Sequence, residues 1–509
     1  MSQLSQPPAE EAEPNRNQKK RPRSIIQNFG SLLASQGATW VLSSALLVLL
    51  PRMLGPVALG DLRLAASVWL VVGVFSDWGT SQVTALEVAK DRSQAHPMIR
   101  SSLKLRFLLF ALTLPAVGTF LFVAGYPPIV NVIVAISAVT AAFTIPVTVI
   151  RAALIGLEEM PSIGRFDVAT ETYLVIATIV VLVLGGGVIG ITILGTTASA
   201  LGYVWLRHVI RRHDGPDNVA PRLQGRPLFR RGSSYLVLGV SVTLYLQVDT
   251  IIISLLVGEK ELGWYSTADS IFGSLFFVPT ILMTTLFPRF ARMHDDDTSD
   301  QAPALLEQAF RTLLLCGTWI GVSTVVVSQS FTTFVFDQRF AGAGPVLAVF
   351  GVVTILGYQT ILLGTYAATT DRARVWSVLM FVSILASVPL DLVLVHWTSN
   401  RFQNGAIGGA LAYIVTELVQ VVAGILWLAP HLISRTSLSR VVRMSISAGA
   451  TFAAGWPLRR SFFVIPGLAG SAAFFASVAL LGTLDEFERA TIRRIINGTR
   501  RLRRSSQVS

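Results

Sequence analysis

Long apolar runs alternate with short polar turns along most of this chain, and the runs have one recurring length. Each holds roughly 20 mostly apolar residues, the number a helix needs to cross the hydrocarbon of a bilayer. Strand-like alternation of period two is absent, and within hydrocarbon only helices or closed barrels satisfy every backbone group. The pattern therefore predicts an all-α, polytopic membrane protein. Its fourteen spans are predicted at 31–51, 62–83, 103–124, 128–150, 168–186, 188–206, 234–256, 265–287, 308–329, 345–368, 374–396, 406–428, 440–457 and 462–483. The turns at Gly185-Gly186-Gly187 and Arg459-Arg460 are the tightest.

Charge tests this map. With the N-terminus inside and the loops alternating, 34 of the 41 Lys and Arg fall on the inner side. Only Arg52, Arg63, Lys260, Arg339, Arg401, Arg459 and Arg460 fall on the other. Lys and Arg are retained on the cytoplasmic side of a membrane, so the split supports both the span count and an orientation with both termini cytoplasmic. The formal net charge of +12 is then a consequence of topology and of attraction to anionic membrane lipids, and no nucleic-acid partner is expected. Composition agrees: 52% of residues are hydrophobic and only 14% charged, against about 25% charged in soluble domains. A single cysteine, Cys316, excludes an intramolecular disulfide and a cysteine-based metal cluster.

The expected organisation is a disordered basic cytoplasmic tail (1–28, with no cleavable signal peptide), a first lobe of six spans (29–206), a linker (207–232), a second lobe of six spans (233–428), two further spans (429–485) and a basic cytoplasmic tail (486–509). Arg500-Arg501-Leu502-Arg503-Arg504 in the last of these reads as facing headgroups. An internal repeat supports two lobes. Leu54-Gly55-Pro56-Val57-Ala58-Leu59-Gly60 and Val257-Gly258-Glu259-Lys260-Glu261-Leu262-Gly263 share glycines five apart, with Leu before the second, at an offset of 203 residues. Six spans separate the copies, so both run the same way through the membrane. Parallel repeats of this kind occur in transporters whose lobes rock about a central site.

Arg52-Met53-Leu54-Gly55-Pro56, Gly60, Ala65, Ser67 and Asp77-Trp78-Gly79, followed by Asp249-Thr250-Ile251-Ile252, Gly263-Trp264-Tyr265-Ser266, Pro279 and Phe287-Pro288-Arg289, resemble the bacterial polysaccharide-biosynthesis flippases. These belong to the multidrug/oligosaccharidyl-lipid/polysaccharide exporter superfamily. Trp78 departs from the small or aliphatic residue expected at its position. The resemblance implies a protein of the bacterial cytoplasmic membrane that exports a lipid-linked oligosaccharide on polyprenyl pyrophosphate by alternating access. Polysaccharide polymerase or chain-length machinery is the partner such a role implies. No catalytic set stands out in the sequence, so neither an enzyme nor a cofactor is expected.

No phosphate loop of the GxxxxGK type and no HExxH pair occurs, and the six histidines are scattered. Ionisable residues within spans are the remaining candidates, because burying charge in a membrane is costly. Arg63 and Asp77, fourteen residues apart, differ by about 40° around a helix and by about 21 Å along it. With Ser67 and Ser81 they are expected to line one cavity wall. Arg63 and Arg52 read as phosphate ligands, which suits a guanidinium fork, or as side chains snorkelling to the interface. Asp249, Asp269 and Glu417 read as an ion or proton site, or as pairs that join helices. Glu171 and Asp391 are further acids within spans; Asp391 continues a stripe through Ser383 and Ser387. Three rival functions stay open: a cation-coupled multidrug antiporter, a membrane-embedded glycosyltransferase or polymerase, and a non-transporting scaffold.

Overall fold

The computed structural model describes residues 25–213, 221–295, 302–370 and 372–483. The basic tails, including Arg500 to Arg504, lie outside the described residues except for 25–28. Sixteen α-helices account for nearly all of what is described. The first lobe holds α1 (Ile25–Leu54), α2 (Pro56–Asp77), α3 (Thr80–Lys90), α4 (Ala95–Ala124), α5 (Pro128–Gly156), α6 (Met160–Val183) and α7 (Gly187–Arg211). The second holds α8 (Arg226–Leu256), α9 (Glu259–Leu275), α10 (Phe277–Asp295), α11 (Ala302–Phe336), α12 (Ala343–Thr369), α13 (Ala373–Phe402) and α14 (Ala406–Leu428). Then come α15 (Arg435–Gly455) and α16 (Val464–Leu480).

Among the described residues, eleven helical segments are long and apolar enough to cross a membrane. Thr39–Leu54 and Val464–Leu480 are apolar but shorter, and α15 carries Arg435, Arg440 and Arg443 in its first half. Length and composition thus support a polytopic helical protein without reaching fourteen spans. The helices overrun the predicted spans because hydropathy registers only the hydrocarbon-facing stretch. At 1.5 Å per residue, the 35 residues of α11 extend about 52 Å, well past a core of about 30 Å.

Two predicted spans are each broken in two. Span two begins six residues early, at Pro56, and stops at Asp77, where Trp78 (φ 47) and Gly79 (φ 69) turn left-handed before α3 resumes. Span eight begins at Glu259 and breaks at Phe276 between α9 and α10. Both are the second spans of their lobes, but α2 runs 22 residues and α9 only 17 before the break, so the interruptions do not fall at equivalent positions of the repeat.

The centre of the molecule is α2, which packs against α4 and α5 of its own lobe and against α8 and α9 of the other. Around it a continuous apolar core runs from Leu64, Val68 and Val130 to Tyr265, Phe272 and Phe350. The repeated segments meet here: Gly60 lies on the backbone of Glu259, and Gly263 on that of Pro56. Pro56 and Glu259 open α2 and α9 and are themselves 203 residues apart, so the contact is reciprocal, as a two-fold relation between lobes requires. The last two helices, α15 and α16, pair with each other and lean on α11.

Candidate functional site

A cavity of about 750 Å³ opens in the second lobe between α8, α9, α12 and α14, and one first-lobe side chain, Arg63 of α2, reaches into it. There the Arg63 guanidinium pairs with Asp269 of α9 across the lobe boundary. The Arg63 Nε is buried without a hydrogen-bond partner. Five of its lining residues carry acid or amide groups: Gln247 and Asp249 of α8, Asp269 of α9, and Glu417 and Gln420 of α14. Gln247 accepts from the Ser67 hydroxyl at 2.8 Å, a second polar bond between lobes. Glu417 of α14 accepts from Tyr245 Oη at 2.5 Å and from the Thr360 hydroxyl. Asp249 of α8 lies beside Asp391 of α13, which is fully buried, and neither oxygen of Asp391 meets a donor.

A second cavity, of about 690 Å³, lies in the first lobe and is lined by Asp77, Ser81 and Arg106 together with a ladder of hydroxyls, Ser137, Thr140, Thr144, Thr148 and Thr192. Arg106 of α4 is 2% exposed. Its Nε donates to Thr80 Oγ1 at 2.6 Å, Nη1 to Thr148 Oγ1 at 2.9 Å and Nη2 to Ser81 Oγ at 2.7 Å, and it pairs with Asp77. Such multiple satisfaction is what allows a cation to be buried at all.

The expectation that Arg63 and Asp77 line one wall is therefore corrected. They share a helix, but Arg63 faces the second-lobe cavity while Asp77, the last residue of α2, faces the first-lobe one. Helical periodicity sets the angle between two side chains; the neighbours packed around α2 decide which space each enters. Arg52 is exposed at the end of α1, outside both cavities, and its carbonyl accepts from Arg339 Nη2 at 2.8 Å. Asp269 and Arg63 are brought together; Asp249 and Glu417 share the cavity with them. Glu171 instead binds Ser43 at 2.5 Å, joining α6 to α1.

Arg106 was missed by sequence reasoning because it sits near the start of a span, where a basic residue reads as topology. The signal available was its position inside the predicted segment 103–124. The Arg151–Asp167 pair, which joins α5 to α6 with Nη2 to Oδ2 at 2.8 Å, was missed because both residues fall in the predicted loop between spans, where charge reads as topology.

Contacts bridge the lobe boundary at both ends. At the end rich in basic residues, the Trp78 indole stacks on Phe229 at 4.4 Å and donates to the Phe229 carbonyl at 3.1 Å. Glu87 binds Arg231 at 2.8 Å, and Arg222 binds Asp91 at 3.1 Å. Hydrogen bonds from the Ser93 hydroxyl and N–H hold the Asp91 carboxyl below its usual range. At the opposite end the glycine contacts of α2 and α9 join with Arg339, whose backbone N–H lowers the Asp337 pKa.

A family model described as "Polysaccharide biosynthesis protein" matches residues 25–294, more than half of the chain. No curated protein sequence matches. Among solved structures, the lipid II flippase MurJ in an inward closed conformation is similar, with a TM-score of 0.70 and 13% identity, covering 92% of this chain and 100% of that one. An inward-facing multidrug resistance MATE family transporter of the MOP superfamily gives 0.63 at 15% identity, covering 80% of this chain and 95% of its own. The eukaryotic MATE transporter AtDTX14 gives 0.54 at 14%, covering 83% and 98%. At such identities the likeness is one of fold.

Proposed function

Because this chain belongs to the polysaccharide biosynthesis protein family, we propose that it is a flippase moving a polyprenyl-pyrophosphate-linked oligosaccharide from the cytoplasmic to the outer leaflet for cell-surface polysaccharide assembly. The observation that carries the reading is the Arg63–Asp269 pair. A first-lobe cation projects into a second-lobe cavity and is neutralised there by a second-lobe acid. An incoming pyrophosphate competes with Asp269 for the guanidinium, whose planar fork suits phosphate oxygens. Occupation of Arg63 by substrate releases one tie between the lobes, which links binding to rocking. The sugars take the hydroxyl-lined first-lobe cavity beside Asp77 and Arg106, and the polyprenyl tail stays in lipid.

In a bacterial cytoplasmic membrane, with both termini cytoplasmic, the inside-negative potential favours outward movement of an anion by about 2.3 kcal/mol per charge per 100 mV. Two charges gain roughly 4–5 kcal/mol, so coupling to a second ion is not required. If an ion is coupled, Asp249 and Asp391 are the residues to hold it, being two adjacent carboxyl groups without a cationic partner among the described residues. The same acids support a second reading, a cation-coupled multidrug antiporter. The two readings separate on Arg63, because a cationic drug gains nothing from a cation in its path. Polymerase and chain-length machinery are the partners this function calls for.

The test is a headgroup-accessibility assay in proteoliposomes with a defined lipid-linked oligosaccharide. Arg63→Ala is expected to lose translocation at normal abundance and insertion. Full translocation by that variant removes Arg63 from the site, and drug–proton exchange that survives it favours the antiporter.

A further inference from the structure

A third cavity, of about 1260 Å³, lies outside both lobes' interiors, where the ends of α11 and α12 meet the turn between α15 and α16. It sits at the end that carries the closed glycine contact: Trp264 Nε1 donates to the Arg339 carbonyl at 2.8 Å, and Asn404 Nδ2 to the Gly342 carbonyl at 2.8 Å. Neither transport cavity uses it.

Three features of its wall agree. First, Arg459 and Arg460 form its rim, and among the described residues neither is paired with a carboxylate. Arg459 is pre-positioned, with its guanidinium stacked over Trp456 at 4.3 Å and Nη1 donating to the Trp456 carbonyl at 3.1 Å. Basic residues are disfavoured in short loops on the non-cytoplasmic side, so two adjacent arginines in this turn run against the bias that shapes the rest of the chain. Second, Asn404 is 5% exposed and lines the cavity, yet its Oδ1 has no partner. A buried acceptor left unmade costs about 1–3 kcal/mol, unless a ligand hydroxyl supplies the donor. Third, the rings of Trp264, Phe334 and Phe402 complete the wall and offer flat apolar faces.

We propose that this cavity is a second binding site, at the outer end of the protein, for a headgroup that combines phosphate with hydroxyls. The phosphate lies on Arg459 and Arg460, and a hydroxyl donates to Asn404 Oδ1. Two sources share that chemistry: a lipid-linked sugar phosphate that has crossed the membrane, and the glycerol-phosphate head of phosphatidylglycerol from the outer leaflet. Its residues are not those that carry translocation, so the phosphatidylglycerol source stands apart from the flippase reading, while the sugar-phosphate source rests on it.

The test uses the full chain in nanodiscs, with native mass spectrometry as readout and two probes, a polyprenyl-pyrophosphoryl disaccharide and phosphatidylglycerol. Measurements are made in the Arg63→Ala background, so that binding at the lobe boundary does not interfere. R459Q/R460Q is expected to weaken one probe by roughly tenfold or more, the scale of a lost charge-assisted bond. R459K/R460K is expected to recover part of it. The probe that is lost names the source. As a variant that keeps both arginines, Asn404→Asp sets a carboxylate against the phosphate and is expected to weaken the same probe. Unchanged binding of both probes in R459Q/R460Q, or in Asn404→Asp should the arginine variant fail to fold, overturns the proposal. Loss of translocation by Arg63→Ala with this binding intact leaves the proposal standing.

Discussion

Gly60 and Gly263 occupy equivalent places in the two halves of the chain and each presses on the other half's backbone. A Cβ at Gly60 would collide with the Glu259 carbonyl, and one at Gly263 with the Pro56 carbonyl. Neither glycine is held for its φ; both are held for close approach. The repeated turn is thus the seal between lobes at one end, where two helix starts lie backbone to backbone.

Gly263→Ala should therefore part the lobes at this end and leave the other end joined. Spin labels on exposed Val57 and Lys260 are expected to move apart by several ångströms, the reach of a methyl group plus the shift it forces. Double electron–electron resonance reads the distance. An unchanged distribution would mean that α2 and α9 slide past one another without separating.

Asp269→Asn tests the competition proposed at Arg63. The variant frees the guanidinium without removing it, so an anionic headgroup no longer displaces a carboxylate. Affinity for pyrophosphate-bearing lipid is expected to rise by up to about tenfold, each tenfold being 1.4 kcal/mol. Weaker binding would show that Asp269 itself contacts the ligand.

Glu87 is 3% exposed and holds Arg231 of α8 at 2.8 Å. Glu87→Gln exchanges a charged acceptor for a neutral one, and hydrogen bonds to charged groups contribute about 1.5–3 kcal/mol. Faster hydrogen–deuterium exchange is expected over residues 221–232 and in α3, with little change in α15 and α16. Uniform acceleration would instead indicate general unfolding.

Arg106→Lys keeps the charge but cannot reach Thr80, Thr148, Ser81 and Asp77 together. Removing the cation altogether, as in Arg106→Leu, leaves Asp77 held by Ser81 alone, and because Asp77 is partly exposed the cost is expected to fall below the ~3–5 kcal/mol of breaking a fully buried pair. Melting temperature in detergent should fall in the order wild type, Lys, Leu. A melting temperature for Lys equal to wild type would reduce the network to one ion pair.

Local pattern alone determined that the chain is helical and polytopic, that its basic residues sort to one end, and that its two halves repeat. Each of these is a property of residues near in sequence: apolar length, loop charge, glycine spacing. The likeness to polysaccharide-biosynthesis flippases was legible for the same reason, since its motifs lie within single turns. Tertiary structure decided the rest. Arg63 and Asp77 share a helix face by periodicity, yet α2 lies between two lobes, and its neighbours send the first to Asp269 and the second to Arg106. Arg106 reads as a loop charge until Thr80, Thr148 and Ser81 are seen around it. Asp391 reads as a stripe until α8 sets Asp249 beside it. Charge is written in sequence, but whether it meets lipid, cavity or counter-charge depends on helices far apart in the chain, and only packing brings those together.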